Sequence, residues 1–306
     1  MNPILLEVGN FSLHWYGLLI VGGATLSAFS STLWAKRSGG DPDHIWNLLA
    51  WCLIAGILGA RVYHVLSSPA DGGGWAHYRE NPMDIINFWS GGFRGLGIYG
   101  GLIGGVLAVI VYAWISKINV LQYLDYIAVN VPLAQAVGRF GNFVNQELYG
   151  PATNLPWAFH INPDYPCQVP EGALGVCSDP NITQQAIDWY ATNGFHPTFF
   201  YEMIWNLMAV LVINLLFLRF GKRLRFGDGV LMLFFFYPVG RFLVEFLRPD
   251  AWMIGSSLAA AQWFALISVV VTVAAFLYRH VDWPGHPEAK DSWIGMSDPK
   301  AVAASS

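Results

Sequence analysis

The sequence predicts an all-α polytopic membrane protein of about seven transmembrane helices, and three observations lead to this fold class. Of its 306 residues, 55% are hydrophobic and only 12% are charged, whereas soluble domains carry about 25% charged residues. Apolar segments of about 20 residues, the length that a helix needs to span a bilayer, recur along the chain. Basic residues follow every second one of these segments, as they do in multi-pass proteins.

Seven segments have the length and composition of membrane spans. They cover residues 15–35, 45–66, 96–116, 122–140, 198–218, 228–247 and 257–278. The basic residues that follow the odd-numbered segments are Lys36 and Arg37, Lys117, Arg219 with Lys222, Arg223 and Arg225, and Arg279. Because basic residues concentrate on the cytoplasmic side, we expect the N-terminus outside the cell membrane and the C-terminus in the cytoplasm.

The remaining stretches divide into external loops and a tail. With this orientation residues 67–94 and 141–197 lie outside the membrane, and the second stretch is long enough to form a small extracytoplasmic cap. The membrane domain then covers residues 1–281. Residues 282–306 are rich in Pro, Lys, Asp and Ser, which predicts a disordered cytoplasmic tail.

Charge and cysteine content limit the function classes. The formal net charge is -4 and the chain has no basic tail, so nothing indicates a nucleic-acid partner. The cysteines, Cys52, Cys167 and Cys177, do not have metal-ligand spacing, and we expect no metal. Cys167 and Cys177 either form a disulfide, if their loop faces an oxidising compartment, or remain free thiols.

The most informative polar stretch is VGRFGNFVNQELYG at 137–150, which ends the fourth apolar segment. An arginine at the hydrocarbon of a bilayer costs about 2.5 to 3.5 kcal/mol on insertion scales. Arg139 therefore needs a partner and is a candidate functional residue. Gly138 and Gly141 leave the backbone beside it uncovered, so that a bulky anion could approach.

Polar residues of the other segments are expected at the same outer depth. They are Tyr16, Arg61, Tyr99, His196, Tyr201, Glu202, Tyr237, Arg241 and Glu245. Tyr237, Arg241 and Glu245 are spaced i, i+4, i+8 and share one helical face. An ordinary ion pair beside an interfacial tyrosine would give the same spacing. Three arginines at one depth, facing Glu147, Glu202 and Glu245, favour an anion-binding cavity.

Two further features have structural interpretations. Asp125 lies at the inner side, where we interpret it as a helix N-terminal charge. Gly100 with Gly104, and Gly101 with Gly105, have the small-xxx-small spacing of closely packed membrane helices.

Five motifs of the chain resemble those of the prolipoprotein diacylglyceryl transferases of the bacterial inner membrane. They are LHWYG (13–17), GLGIYGGLIG (95–104), GRFGNFVNQELYG (138–150), HPTFFYE (196–202) and GRFLVEFLRPD (240–250). The resemblance implies an enzyme that transfers the diacylglyceryl group of phosphatidylglycerol to the lipobox cysteine thiol of a prolipoprotein. The products are a thioether and glycerol phosphate, in the first step of bacterial lipoprotein maturation. No cofactor is implied.

The resemblance also implies roles for residues of these motifs. Arg139 would hold the head group of phosphatidylglycerol, and Arg139 and Arg241 would stabilise the negative charge that develops on the departing phosphate. The other implied substrate-binding residues are Tyr16, Asn142, Glu147, Gly150, Tyr237 and Glu245.

One position departs from the family pattern. Most members have histidine where this chain has Tyr99. The attacking cysteine must become a thiolate, and histidine is the usual general base near neutral pH. Two hypotheses follow. Either Tyr99 is a catalytic base activated by Arg139 or Arg241, or it only orients substrate and the thiol is deprotonated otherwise.

Two other functions are compatible with an anion site in a membrane protein. A lipid transporter would have a polar path to the cytoplasmic side or repeated halves with broken helices, whereas the polar residues here stop at mid-depth. A phospholipid-binding protein without transferase chemistry would bind phosphatidylglycerol but form no thioether.

Overall fold

The computed structural model of the chain describes residues 4–8, 11–67, 75–86, 96–162, 189, 192–248, 251–254 and 257–281. Its α-helices in these ranges are α1 (Trp15–Arg37), α2 (Asp43–Leu66), α3 (Trp75–Glu80), α4 (Ile98–Ser116), α5 (Val120–Ala128), α6 (Val131–Asn145), α7 (Thr198–Phe220), α8 (Asp228–Glu245) and α9 (Ala260–His280). A 3₁₀ helix covers Pro82–Ile85. Both Cys167 and Cys177 and the predicted tail at 282–306 lie outside the described residues.

Short antiparallel strand pairs flank the helices. They are β1 (Ile4–Val8) with β2 (Phe11–His14), β3 (Phe159–His160) with β4 (Gly194–Phe195), and β5 (Met253–Ile254) with β6 (Leu258–Ala259). The sequence pattern predicted none of these strands. The second pair and a bridge between Ala152 and Phe195 join the beginning and the end of the segment that connects α6 to α7.

Five helices of the described chain are long and apolar enough to cross a membrane: α1, α2, α4, α7 and α9. They coincide with five of the predicted spans. Side chains such as Leu58, Trp114 and Phe264 on these helices point outward and are exposed, as expected for surfaces that contact lipid. The protein is therefore an all-α, multi-pass membrane protein.

The prediction of one continuous span at 122–140 is wrong, because the chain turns between α5 and α6. Pro132 has no N–H with which to continue the helix. Side chains bond to carbonyl groups around the turn: Asn130 donates to the carbonyl of Tyr126 (3.1 Å), and Asn214 of α7 donates to that of Val129 (3.3 Å). The break thus separates a short buried helix from α6, which carries Arg139.

Helix α8 is held on two sides around Pro238. Proline cannot donate to the carbonyl of Phe234, and Ser268 of α9 donates to that oxygen instead (3.0 Å). The indole of Trp205 on α7 donates to the carbonyl of Phe236 (2.8 Å). Gly240 makes room for this indole, since a Cβ there would lie 2.3 Å from it. These contacts fix the position of the following turn, which carries Arg241.

Buried charged side chains also meet where α5, the start of α8 and the end of α9 come together, at the end of the bundle away from Arg241. Asp125 lies within α5 and accepts hydrogen bonds from the backbone of Gly227 (2.6 Å) and Val230 (3.0 Å) at the start of α8. Its carboxylate therefore caps a neighbouring helix, whereas the sequence position had suggested a charge at the start of its own. Asp228 forms an ion pair with Arg279 (3.3 Å) and is hydrogen-bonded to Nε2 of His280 (2.8 Å) at the end of α9.

Glycines allow α2 and α4 to pack with their backbones in contact. A Cβ on Gly100 would lie 2.1 Å from the carbonyl oxygen of Gly59, and one on Gly104 would lie 2.2 Å from that of Ala55. The expected close packing is confirmed for these two glycines. Gly105, in contrast, faces open space.

Gly104→Ala should destabilise the protein, because the new methyl group would force the backbones of α2 and α4 apart. Overpacking of this kind costs about 1 to 3 kcal/mol. Gly105→Ala is the matched control on the same helix and should leave stability nearly unchanged. Thermal unfolding of both variants in detergent measures the difference, and equal midpoints would contradict the proposed packing.

Candidate functional site

Glu202 joins two arginines from different helices at one end of the bundle. One carboxylate oxygen forms an ion pair with Nη2 of Arg139 on α6, and the other accepts from Nη1 of Arg241 on α8 (3.3 Å). Arg241 also pairs with Glu245 one turn along α8 (2.8 Å). Glu202 and Glu245 are buried and the two guanidiniums are largely so. The charges therefore act on each other in a poorly solvated environment, where Coulomb forces are strong.

Asn142 connects Glu147 to the ion cluster, which consists of Arg139, Glu202, Arg241 and Glu245. Its side-chain oxygen accepts from Nη1 of Arg139 (3.2 Å), and its amide donates to Oε1 of Glu147 (2.8 Å). Asn145 donates to the same carboxylate oxygen (3.3 Å). Burial raises the pKa of the Glu147 carboxyl above its ordinary value, and the hydrogen bonds from the two asparagines and the charge of Arg139 oppose this rise.

The loop after α6 has an unusual backbone. Gln146 and Leu148 both have φ of 55°, a left-handed conformation that is uncommon outside glycine and concentrates at functional sites. The hydroxyl of Thr198 donates to the carbonyl of Leu148. The amide of Gly150 donates to the carbonyl of His196 (2.8 Å). The start of α7 thus holds the loop that presents Glu147.

Gly150 has a steric reason to be glycine. A Cβ at this position would lie 2.8 Å from the carbonyl oxygen of Leu247 and 3.0 Å from side-chain atoms of His196 and Thr198. Gly150 therefore lets the loop after α6, the start of α7 and the end of α8 come together. Its contribution to the site is this close approach of three segments.

Tyr16, at the start of α1, packs against α6 beside the ion cluster. A Cβ on Gly141 would lie 2.2 Å from the Tyr16 ring, whereas Gly138 faces open space. The expectation that both glycines leave room for an anion is therefore wrong for Gly141, whose uncovered backbone accommodates the tyrosine. The Tyr16 side chain remains partly exposed.

Tyr237 lies one turn before Arg241 on α8. It lines a small cleft with Glu202, Asn206 and Arg241, and 44% of its surface is exposed. The face shared by Tyr237, Arg241 and Glu245 is thus present, with the tyrosine at the surface and Glu245 buried.

Tyr99 and Arg61 have different surroundings from the rest of the predicted site. The Tyr99 ring contacts Tyr63 with 5.8 Å between centroids, and the side chain is 64% exposed. Within the described part of the chain, its phenol has no hydrogen bond to Arg139 or Arg241.

Arg61 donates to the carbonyls of Asp84 (2.5 Å) and Ile85 (3.0 Å). Arg61 thus anchors the segment after α3 to α2, and its expected position facing the glutamates stays a prediction.

Comparison with known proteins gives the family. Residues 3–278 match the model of the prolipoprotein diacylglyceryl transferase family. A phosphatidylglycerol–prolipoprotein diacylglyceryl transferase of Nostoc sp. is 34% identical, over 92% of this chain and 90% of the relative. Those of Ligilactobacillus salivarius and Chloroflexus aggregans are also 34% identical, over 93% and 94% of this chain and 95% and 94% of the relatives.

The chain belongs to this family. All five motifs on which the resemblance to diacylglyceryl transferases rests lie within the matched residues. The bridging position of Glu202 was not predicted, although the HPTFFYE motif and its expected depth both marked this residue. Sequence spacing relates residues within one helix, and it could not show that Glu202 of α7 contacts arginines of α6 and α8.

Glu202→Gln should destabilise the protein more than Glu245→Gln does. Removing one partner of a buried ion pair costs about 3 to 5 kcal/mol, and Glu202 is the shared partner of two arginines. Arg241 would keep Glu202 as its partner in the Glu245 variant, which makes that variant the matched control. Thermal unfolding measures both, and a larger loss for Glu245→Gln would contradict the bridging role.

Proposed function

We propose that this chain transfers the diacylglyceryl group of phosphatidylglycerol to the lipobox cysteine thiol of prolipoproteins. The observation that carries the proposal is the pair of largely buried arginines, Arg139 and Arg241, held within reach of one carboxylate at the junction of three helices. A phosphodiester anion can take the place of that carboxylate, because a guanidinium binds phosphate and carboxylate oxygens with the same donor geometry. Family membership supports the same assignment.

In the reaction, these arginines would stabilise the negative charge that develops on the departing phosphate. The cysteine sulfur attacks the glyceryl carbon that is bonded to the phosphate oxygen, so that a carbon–sulfur bond forms and the carbon–oxygen bond breaks. The electron pair of the broken bond stays on the phosphate, which leaves as glycerol phosphate. Positioned guanidiniums stabilise this charge, and one such contact is typically worth about 3 kcal/mol.

The remaining site residues orient the arginines and the lipid. Asn142, itself bonded to Glu147, holds Arg139, Glu245 holds Arg241, and Gly150 keeps the loop of Glu147 close to α7. Tyr16 and Tyr237, both partly exposed, flank the cluster where lipid would enter. The phosphate must displace Glu202 from at least one arginine, and the released carboxylate can accept the proton of the thiol.

For Tyr99 we favour the second of the two hypotheses, in which it orients substrate. Its phenol is mostly exposed and contacts Tyr63. Among the described residues no guanidinium contacts it, whereas the base hypothesis requires contact with Arg139 or Arg241.

The proposal includes a membrane topology. Helices α5 and α6 together, and α8, add two crossings to the five long helices, with the N-terminus outside and the C-terminus in the cytoplasm. The basic residues at or just beyond the C-terminal ends of α1, α4, α7 and α9 support this orientation in the bacterial inner membrane. Residues 141–197 then form the extracytoplasmic cap, residues 67–94 an external loop, residues 1–281 the membrane domain and residues 282–306 the tail.

The direct test is turnover by the purified protein in phosphatidylglycerol vesicles with a lipobox peptide. We expect a peptide whose mass increases by one diacylglyceryl group in thioether linkage. Retained phosphatidylglycerol without product would instead indicate a lipid-binding protein. Movement of lipid between leaflets without product would indicate a transporter.

Arg139→Ala should abolish the transfer while the protein still inserts into the membrane. Arg139→Lys keeps the charge but loses the planar fork that binds two oxygens, and should retain a small part of the activity. Thioether product measured by mass, with membrane-inserted protein quantified in parallel, gives the comparison. Near-normal labelling in the alanine variant would refute the assignment.

Tyr99→Phe should retain transfer within about tenfold, because general-base catalysis contributes about 10² to 10⁴ in rate and orientation by one hydroxyl contributes less. The rate of thioether formation at saturating peptide measures this. A loss of a hundredfold or more in a folded variant would favour the base hypothesis.

A further inference from the structure

A second pocket lies beside the ion cluster, on the connection between α6 and α7. Its volume is about 330 Å³, within the range of ligand-binding pockets, about 300 to 1,000 Å³. The aromatic rings of Phe143, Phe159 and Phe200 line it together with the polar side chains of Gln146, Trp157 and His160.

The pocket lies next to the arginines along α6. Phe143 follows Arg139 by four residues, so both side chains lie on the same face of the helix, about one turn or 5.4 Å apart along its axis. A molecule in the pocket would therefore lie within about one helical turn of the phosphate site.

The walls of the pocket are already fixed by contacts within the chain. The side-chain amide of Gln146 accepts from the backbone N–H of Asn162 (2.5 Å) and donates to its carbonyl (3.4 Å), which ties the two sides together. The Phe143 ring contacts those of Phe159 and Phe200, with centroids 5.8 and 5.7 Å apart. The pocket is thus preformed.

The lining indicates a peptide. The described residues that line the pocket include no lysine, arginine, aspartate or glutamate, and they supply no counter-charge for a second phosphate or a cation. Polar groups beside the rings, including the exposed imidazole of His160, do not suit a hydrocarbon chain. Rings that accept an apolar side chain, next to an imidazole that can hydrogen-bond to an amide, suit a short extended peptide.

We propose that this pocket binds the prolipoprotein segment adjoining the acceptor cysteine and holds the thiol beside the lipid phosphate. The inference rests on the proposed function, which supplies the peptide substrate. It adds the location of that substrate: the lipid head group lies at Arg139 and Arg241, and the peptide lies one turn further along α6. The two substrates then occupy adjacent sites with different chemistry.

Ala158→Phe tests the site by filling it, since Ala158 also lines the pocket. We expect the KM for a lipobox peptide to rise about tenfold or more, as for a blocked apolar subsite, with the KM for phosphatidylglycerol and kcat unchanged. The control is Asn154→Phe, in the same loop but outside the lining. An unchanged peptide KM in Ala158→Phe, or a rise in the lipid KM instead, would overturn the inference.

A crosslinking measurement gives a readout that does not depend on turnover or on the fold of the Ala158 variant. Benzoylphenylalanine replacing His160 should crosslink a lipobox peptide, and the same group replacing Asn154 should not. Failure to crosslink at His160 in a preparation that still forms the thioether would overturn the peptide site and leave the proposed function intact. Crosslinking without any thioether in the unmodified protein would support the site and refute the proposed function.

Discussion

The contact on which the site depends is the carboxylate of Glu202 between two guanidiniums. Each of these charges would be costly to remove from water alone, and together they offset much of that cost. Because Arg139, Glu202 and Arg241 belong to α6, α7 and α8, the same contact also fixes the relative positions of three helices. In the proposed function, a lipid phosphate would compete with this internal anion for the arginines.

The rest of the fold brings these three residues together. The turn between α5 and α6 at Pro132 separates α6, with Arg139, from the preceding helix. Trp205 against Gly240, and Ser268 beside Pro238, hold α8 so that Arg241 faces Glu202. At the opposite end, Asp125 caps α8. Prolines, glycines and buried polar side chains therefore determine where the charged residues meet.

Much of this could be predicted from the sequence. Hydropathy located α1, α2, α4, α7 and α9, because a span needs a long apolar run. The free-energy cost of a charge near lipid marked Arg139 as a site candidate, and the common depth of three arginines together with the family motifs added Arg241. The turn at Pro132 was missed because apolar residues continue on both sides of it, and the strands β3 and β4 were missed because they have two residues each.

Contacts between helices were harder to predict. Depth in the membrane placed Arg61, Tyr99 and Glu202 at the same level, but depth does not determine which side of a helix faces the centre. Glu202 faces the arginines, Arg61 binds the carbonyls of Asp84 and Ile85, and Tyr99 is mostly exposed. Gly141 was interpreted as open backbone, although the Tyr16 ring covers it.

The most direct test of the central claim is the lipid that copurifies with the protein. From membranes that contain both phosphatidylglycerol and a zwitterionic phospholipid, the unmodified protein should retain phosphatidylglycerol at about one molecule per chain, as measured by native mass spectrometry. Arg139→Ala combined with Arg241→Ala should lose this lipid, whereas Arg37→Ala, at the other end of the bundle, should keep it. Equal retention of phosphatidylglycerol by the double variant would contradict the claim that the two arginines bind the head group.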